Sequence, residues 1–141
     1  MVGTEAARRA YAQQLVRDLG PGHERLHDAF ADTPRERFVG APPWPLLHGG
    51  FTRQWSDDPR ELYDDVLVGL DVELGINNGQ PSLHARCLAA CNPQAGETVL
   101  HVGAGTGYYS AILAHLVGPG GRVIAYESEA HLAARAAANL A

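Results

Sequence analysis

The stretch VLHVGAGTGYYSAIL, Val99 to Leu113, places glycine at every second position between two apolar runs. The first run, Thr98 to Val102, has the length of a buried strand, and the second has Tyr109, Ile112, Leu113 and Leu116 at helical spacing. A helix over 107–117 is therefore predicted. After the turn Gly118-Pro119-Gly120-Gly121 come a second apolar run, Arg122 to Tyr126, and a helix from about Ser128 to Leu140. Two strands alternating with helices across short turns are predicted to be buried and parallel, because a parallel crossover needs a helix to return the chain. Glycines between such a strand and helix leave the free N–H groups of the first helical turn open to a polar or anionic ligand, which side chains would block. The dinucleotide fingerprint G-x-G-x-x-G would need glycine where Tyr108 stands, which speaks against NAD or FAD. Twenty residues after Gly107 the next strand ends in Glu127, where a carboxylate accepts hydrogen bonds from the ribose hydroxyls of a nucleoside.

Composition narrows the partner. The 141 residues are 45% hydrophobic and 19% charged, the range of an ordinary globular domain, and the net charge is -5 with no basic cluster. An acidic chain without a basic face is not expected to bind nucleic acid. The N-terminal sequence has no signal-peptide core, and no run approaches the ~18 apolar residues of a membrane span. A cytoplasmic protein without a membrane partner is expected. Cys87 and Cys91 share a predicted helix with Leu83 and Leu88 and are read as core residues.

Upstream, residues 5–19 read as an amphipathic helix with Ala7, Tyr11, Leu15 and Leu19 on one stripe, ended by Gly20-Pro21-Gly22. A second helix points Leu26 and Phe30 inward. Its start, His23-Glu24-Arg25-Leu26-His27, matches the H-E-x-x-H zinc string, but with no third ligand in view it reads as a solvated first turn, and no metal is expected. Thr33-Pro34-Arg35-Glu36 has the form of a capping box opening a short helical turn. From Gly40 to about Gln80 the chain is rich in proline, contains both tryptophans, and alternates like a strand only over Leu62 to Leu70. Its portion Ala41 to Trp55 is read as a packed surface loop or a substrate flap. Residues 81–92 return to a helix. The organisation expected is an N-terminal segment, 1–80, of helices and a long loop region, followed by the first half of a nucleoside-binding domain, 81–141.

Taken together, VLHVGAGTGYYSAILAHL and RVIAYE resemble the first motif of the class I S-adenosylmethionine-dependent methyltransferases. More narrowly, TPRERFVG at 33–40, LYDDVLVG at 62–69 and QPSLHARCLAA at 80–90 resemble the protein-L-isoaspartate (D-aspartate) O-methyltransferases over nearly the whole chain. The resemblance implies an α/β, Rossmann-like methyltransferase fold with an N-terminal helical segment, with S-adenosyl-L-methionine as cofactor and an isoaspartyl protein or peptide as substrate. It implies a cofactor site at Gly103, Ala104, Gly105 and Gly107, with His101 beneath the turn and Glu127 and Ser128 at the ribose. The reaction implied is attack of an isoaspartyl carboxylate, already ionised at neutral pH, on the sulfonium methyl.

Three departures qualify these implications. The family's T-I-S triplet reads Asn77-Asn78-Gly79 here, so Asn77 and Asn78 become the candidate catalytic residues, as donors to the acceptor carboxylate or simply as turn formers. The acid normally two residues before the first glycine is His101, read as packing under the turn. Family members also continue for several more strands, so a partial sheet lacking its C-terminal half is expected, with an exposed edge and apolar face that invite self-association. The alternatives are a methyltransferase for another carboxylate or modified peptide, or a truncated, non-catalytic module binding a cofactor or partner.

Overall fold

The computed structural model describes residues 3–49 and 52–141. Apolar spacing in the N-terminal segment forms two helices, α1 (Thr4–Arg17) and α2 (Glu24–Asp32), which bury Tyr11 and Leu15 from the first and Leu26 and Phe30 from the second. His23 is the N-cap of α2, so the H-E-x-x-H string does form a first helical turn. Thr33 does not cap the turn that follows. Its hydroxyl donates to the carbonyl of Ala29 at 2.7 Å, closing α2, and a 3-10 turn then starts at Arg35 without a side-chain cap.

The region expected to be loop contains a four-stranded sheet. Strands β1 (Trp44–His48), β2 (Thr52–Ser56), β3 (Leu67–Asp71) and β4 (Ile76–Asn77) form an antiparallel sheet in the order β2-β1-β3-β4. Gly50 and Phe51, within the loop expected over 41–55, lie outside the described residues; the rest of that span supplies the β1–β2 hairpin. Proline is accommodated there because the pairing is one-sided. Pro45 sits within β1, but the ladder to β3 pairs only Leu46 and Leu47, so at Pro45 the strand has a neighbour on one side only. The alternation over Leu62 to Leu70 is also only half strand, because Pro59–Tyr63 is a 3-10 turn capped by Asp58, which accepts from the Arg60 N–H at 2.9 Å. Trp44, Leu46, Leu62, Val66 and Val68 form one core cluster against this sheet.

The C-terminal part follows the predicted order closely. Helix α3 (Pro81–Cys91) leads to β5 (Thr98–Val102), α4 (Tyr108–Val117), β6 (Arg122–Tyr126) and α5 (Ala130–Leu140), and β5 pairs with β6 in parallel from Thr98↔Arg122 to Val102↔Tyr126. Helix α4 is apolar on most of its circumference and buries Tyr109, Ile112, Leu113 and Leu116. A second core cluster joins them to Tyr11, Phe30, Ala85 and Leu88. Full burial of each large aliphatic or aromatic side chain in it contributes about 1.5–3 kcal/mol.

Two expectations about burial fail here. Cys87 and Cys91 are exposed, because α3 turns Pro81, Ala85 and Leu88 inward instead, the last two joining the core shared with α1 and α2. Strands β5 and β6 are not buried on both faces. Val99 and Val123 pack into the core, whereas Leu100, Val102 and Tyr126 are 63%, 79% and 57% exposed, forming the expected open apolar face. No helix among the described residues is long and apolar enough to cross a membrane.

Candidate functional site

The glycine turn lies where β5 hands the chain to α4, and β6 secures it from beside. The carbonyl of Tyr126 accepts the N–H groups of both Gly103 and Ala104, each at 2.9 Å. The carboxylate of Glu127 then accepts the N–H of Gly105 at 2.7 Å and that of Glu129 at 3.0 Å. Backbone N–H groups, those of Glu129 first, hold the Glu127 carboxyl below the usual carboxylate range, so it is ionised at neutral pH. Ser128 adds a longer contact of 3.5 Å from its hydroxyl.

Glycine is needed in this turn for two different reasons. At Gly107, the N-cap of α4, φ is +96° and a Cβ would meet Leu140 Cδ1 at 3.0 Å, so α5 packs directly on the backbone. At Gly103, φ is +80° and a Cβ would meet nothing within 4 Å, so the space above that residue is open.

That space belongs to a cavity of about 240 Å³ in which the sequence-predicted Gly103, Ala104 and Gly105 meet Asn77 and Asn78 from the opposite side. The remaining predicted residues stand outside its lining. Gly107 supports α5, and Glu127 and Ser128 brace the turn from the β6 side. His101 is half-buried with Nδ1 2.8 Å from the Ser110 hydroxyl, and burial followed by the proximity of His84 lowers its pKa, which makes it a packed, neutral ring.

The cavity also has walls that sequence reasoning did not single out. His84 lies flat on Tyr109, ring centroids 3.7 Å apart and planes within 9°, and both line the cavity. Burial lowers the His84 pKa and raises those of Tyr108 and Tyr109, so all three present neutral rings near pH 7. Tyr109 donates to the carbonyl of Gly79 at 3.3 Å, tying α4 to the asparagine loop. Asn77 makes the local turn, accepting the Gly79 N–H at 2.9 Å. Asn78 instead reaches back to the fully buried Arg35, whose Nη2 donates to its Oδ1 at 2.6 Å. The Thr-Pro-Arg-Glu string was the available signal for Arg35, but read locally it suggested only a helix start.

The arrangement fits a nucleoside cofactor extended along the turn. Its marks are the open space over Gly103, an ionised carboxylate at the end of β6, and the buried Thr106 hydroxyl in the cavity wall, which has no partner among the described residues. A volume below the ~300–1,000 Å³ of enclosed ligand pockets suits part of such a molecule, with the remainder over the rim. Among the described residues no three His, Cys, Asp or Glu side chains are grouped to hold a metal.

A family model described as protein-L-isoaspartate(D-aspartate) O-methyltransferase matches residues 11–141. A protein-L-isoaspartate O-methyltransferase of Aeropyrum pernix is 38% identical over 134 residues, covering 95% of this chain and 45% of that protein. One from Methanopyrus kandleri is 42% identical over 120 residues, covering 82% and 44%. The chain thus spans a little under half the length of these relatives. A solved protein-L-isoaspartate O-methyltransferase structure superimposes with a TM-score of 0.75 at 26% identity over 94% of this chain and 38% of that one. A putative enzyme of the same name from Plasmodium falciparum, solved with S-adenosyl-L-homocysteine, has a TM-score of 0.69 at 17% identity, a likeness of fold, over 94% of this chain and 54% of that one.

Proposed function

This chain belongs to the protein-L-isoaspartate(D-aspartate) O-methyltransferase family, and we propose that it binds S-adenosyl-L-methionine at the glycine turn and methylates the carboxylate of isoaspartyl residues in proteins or peptides. The observation that carries this reading is a single cavity with the Gly103–Gly105 backbone on one side and the Asn77–Asn78 loop on the other. When bound, the cofactor supplies an electrophilic methyl group on a sulfonium. Gly103 receives its amino-acid end because nothing stands within 4 Å of where its Cβ would be, and Ala104 and Gly105 continue the same cavity wall beside Leu70. The Glu127 carboxylate has about four lone-pair sites; it gives one to Gly105 and another to Glu129, and retains capacity for ribose hydroxyls, with Ser128 beside it.

The acceptor needs no strong base, since a carboxylate of pKa ~4 is an anion at pH 7. With the cofactor held at the glycine turn, transfer of its methyl group to that carboxylate would give a methyl ester and leave the cofactor as a neutral thioether. The chain contributes alignment and exclusion of water: Tyr108, Tyr109 and His84 supply neutral flat walls, and Asn77 and Asn78 stand at the acceptor side. His101 supports α4 through Ser110 rather than lining the cavity.

The test is calorimetric titration of the protein with S-adenosylhomocysteine, followed by a methyl-transfer assay on an isoaspartyl peptide. Saturable micromolar binding with ester formation is expected; a folded protein without binding would remove the cofactor reading. The exposed Leu100, Val102 and Tyr126 support a second reading, association with another copy through the open sheet, which sedimentation of the same sample measures.

A further inference from the structure

Arg35 is the largest fully buried side chain, yet its partners are neutral. Nη1 donates to the Leu62 carbonyl at 2.7 Å, and Nη2 donates to the Val66 carbonyl at 2.8 Å and to Asn78 Oδ1 at 2.6 Å. The Tyr108 ring lies 5.8 Å from Cζ, and Nε has no partner among the described residues. Buried guanidinium groups ordinarily pair with a carboxylate, because an uncompensated charge away from water is expensive. No carboxylate lies within ion-pair distance of this one among the described residues, although that of Asp65 is near enough to feel its charge, and the guanidinium's field also reaches the cavity wall that Tyr108 and Asn78 share.

The bond to Asn78 also settles an orientation. An amide can usually be turned either way round, but a guanidinium carries donors only and must face oxygen. With Oδ1 held by Arg35, the two N–H bonds of Nδ2 are the end of the amide that remains for the cavity, and the adjacent cation strengthens them as donors. We propose that Arg35 is a positioning residue that fixes Asn78 as the N–H donor to the acceptor carboxylate, so that this site selects anionic over neutral acceptors. The inference rests on the methyltransferase reading above and specifies its acceptor side. It gives Asn78 a role that Asn77, engaged in its own turn, does not share.

Asn78→Asp separates this role from a structural one. Aspartate keeps an oxygen for Arg35 and adds an ion pair, so the fold is retained, but it turns the cavity-facing donor into an anionic acceptor. Binding of an isoaspartyl tetrapeptide to the S-adenosylhomocysteine complex is to be followed by NMR, together with the Asn78 side-chain amide signal and the melting temperature. In the wild-type protein the peptide should shift the Nδ2 signal. In Asn78→Asp, peptide affinity should fall about tenfold or more, the scale of a lost hydrogen bond to a charged group, while S-adenosylhomocysteine affinity stays within about twofold and Tm is equal or higher. An amidated peptide lacking the acceptor carboxylate should not show that loss. Equal peptide affinity in wild type and Asn78→Asp overturns the proposal while leaving the methyltransferase reading in place. Failure of the wild-type protein to bind S-adenosylhomocysteine at all overturns both.

Discussion

The two sides of the cavity differ in what they are made of. The side proposed for the cofactor is backbone, residues 103–105 held by the Tyr126 carbonyl and the Glu127 carboxylate within one strand–helix–strand unit. The acceptor side is side chain, with Arg35, Asn78, His84 and Tyr109 gathered from four separate elements of the chain. A backbone site tolerates change only where a Cβ fits, whereas a side-chain site can be re-specified by single substitutions.

The strongest way to break the comparison is Arg35→Ala. It strips hydrogen bonds from the Leu62 and Val66 carbonyls and from Asn78 at once, and should destabilise the protein by at least about 3 kcal/mol in urea unfolding, at about 1–3 kcal/mol for each of these unsatisfied groups. A loss below 1 kcal/mol would mean that the acceptor side does not depend on this buried cation. Gly107→Ala comes next. A left-handed φ together with the 3.0 Å approach to Leu140 should cost about 2–3 kcal/mol, against about 1–2 for Gly103→Ala, which has the strain without the contact. The order should invert for S-adenosylhomocysteine binding, because only the Gly103 Cβ enters open space in the cavity.

Glu127 tests whether the backbone side relies on any side chain. Glu127→Ala should weaken S-adenosylhomocysteine binding by about 1–3 kcal/mol, the scale of hydrogen bonds to a charged group, and unchanged affinity would remove it from the site. Its pH signature has a definite sign. Because the folded pKa is lowered, the carboxylate's contribution to stability is fully present above the usual glutamate pKa of ~4.3 and is lost as pH falls through the depressed folded value. Acid unfolding of Glu127→Gln should therefore lack a component that the wild-type protein shows in that window. The smallest effect is expected at the open sheet face. Leu100→Ser should change unfolding free energy by only about 0.5 kcal/mol, as for other exposed positions, while lowering any self-association seen in sedimentation.

Sequence alone determined the parts of this protein whose physics is local. The β5-turn-α4-β6-α5 order, the limits of both parallel strands, the glycine turn and the position of Glu127 all follow from periodicity and from what glycine permits, within one short span of chain. Tertiary structure decided what depends on distant partners. Pro45 lies in a strand because β3 pairs only beyond it, and Thr33 closes the helix behind it rather than capping the turn ahead. Cys87 and Cys91 are exposed because α3 packs through Ala85. Arg35 meets Asn78 only because the fold brings residues 43 apart in the chain to within 2.6 Å. Backbone preferences act over a few residues and leave a readable pattern, whereas burial and side-chain pairing are settled by whichever surfaces the whole chain brings together.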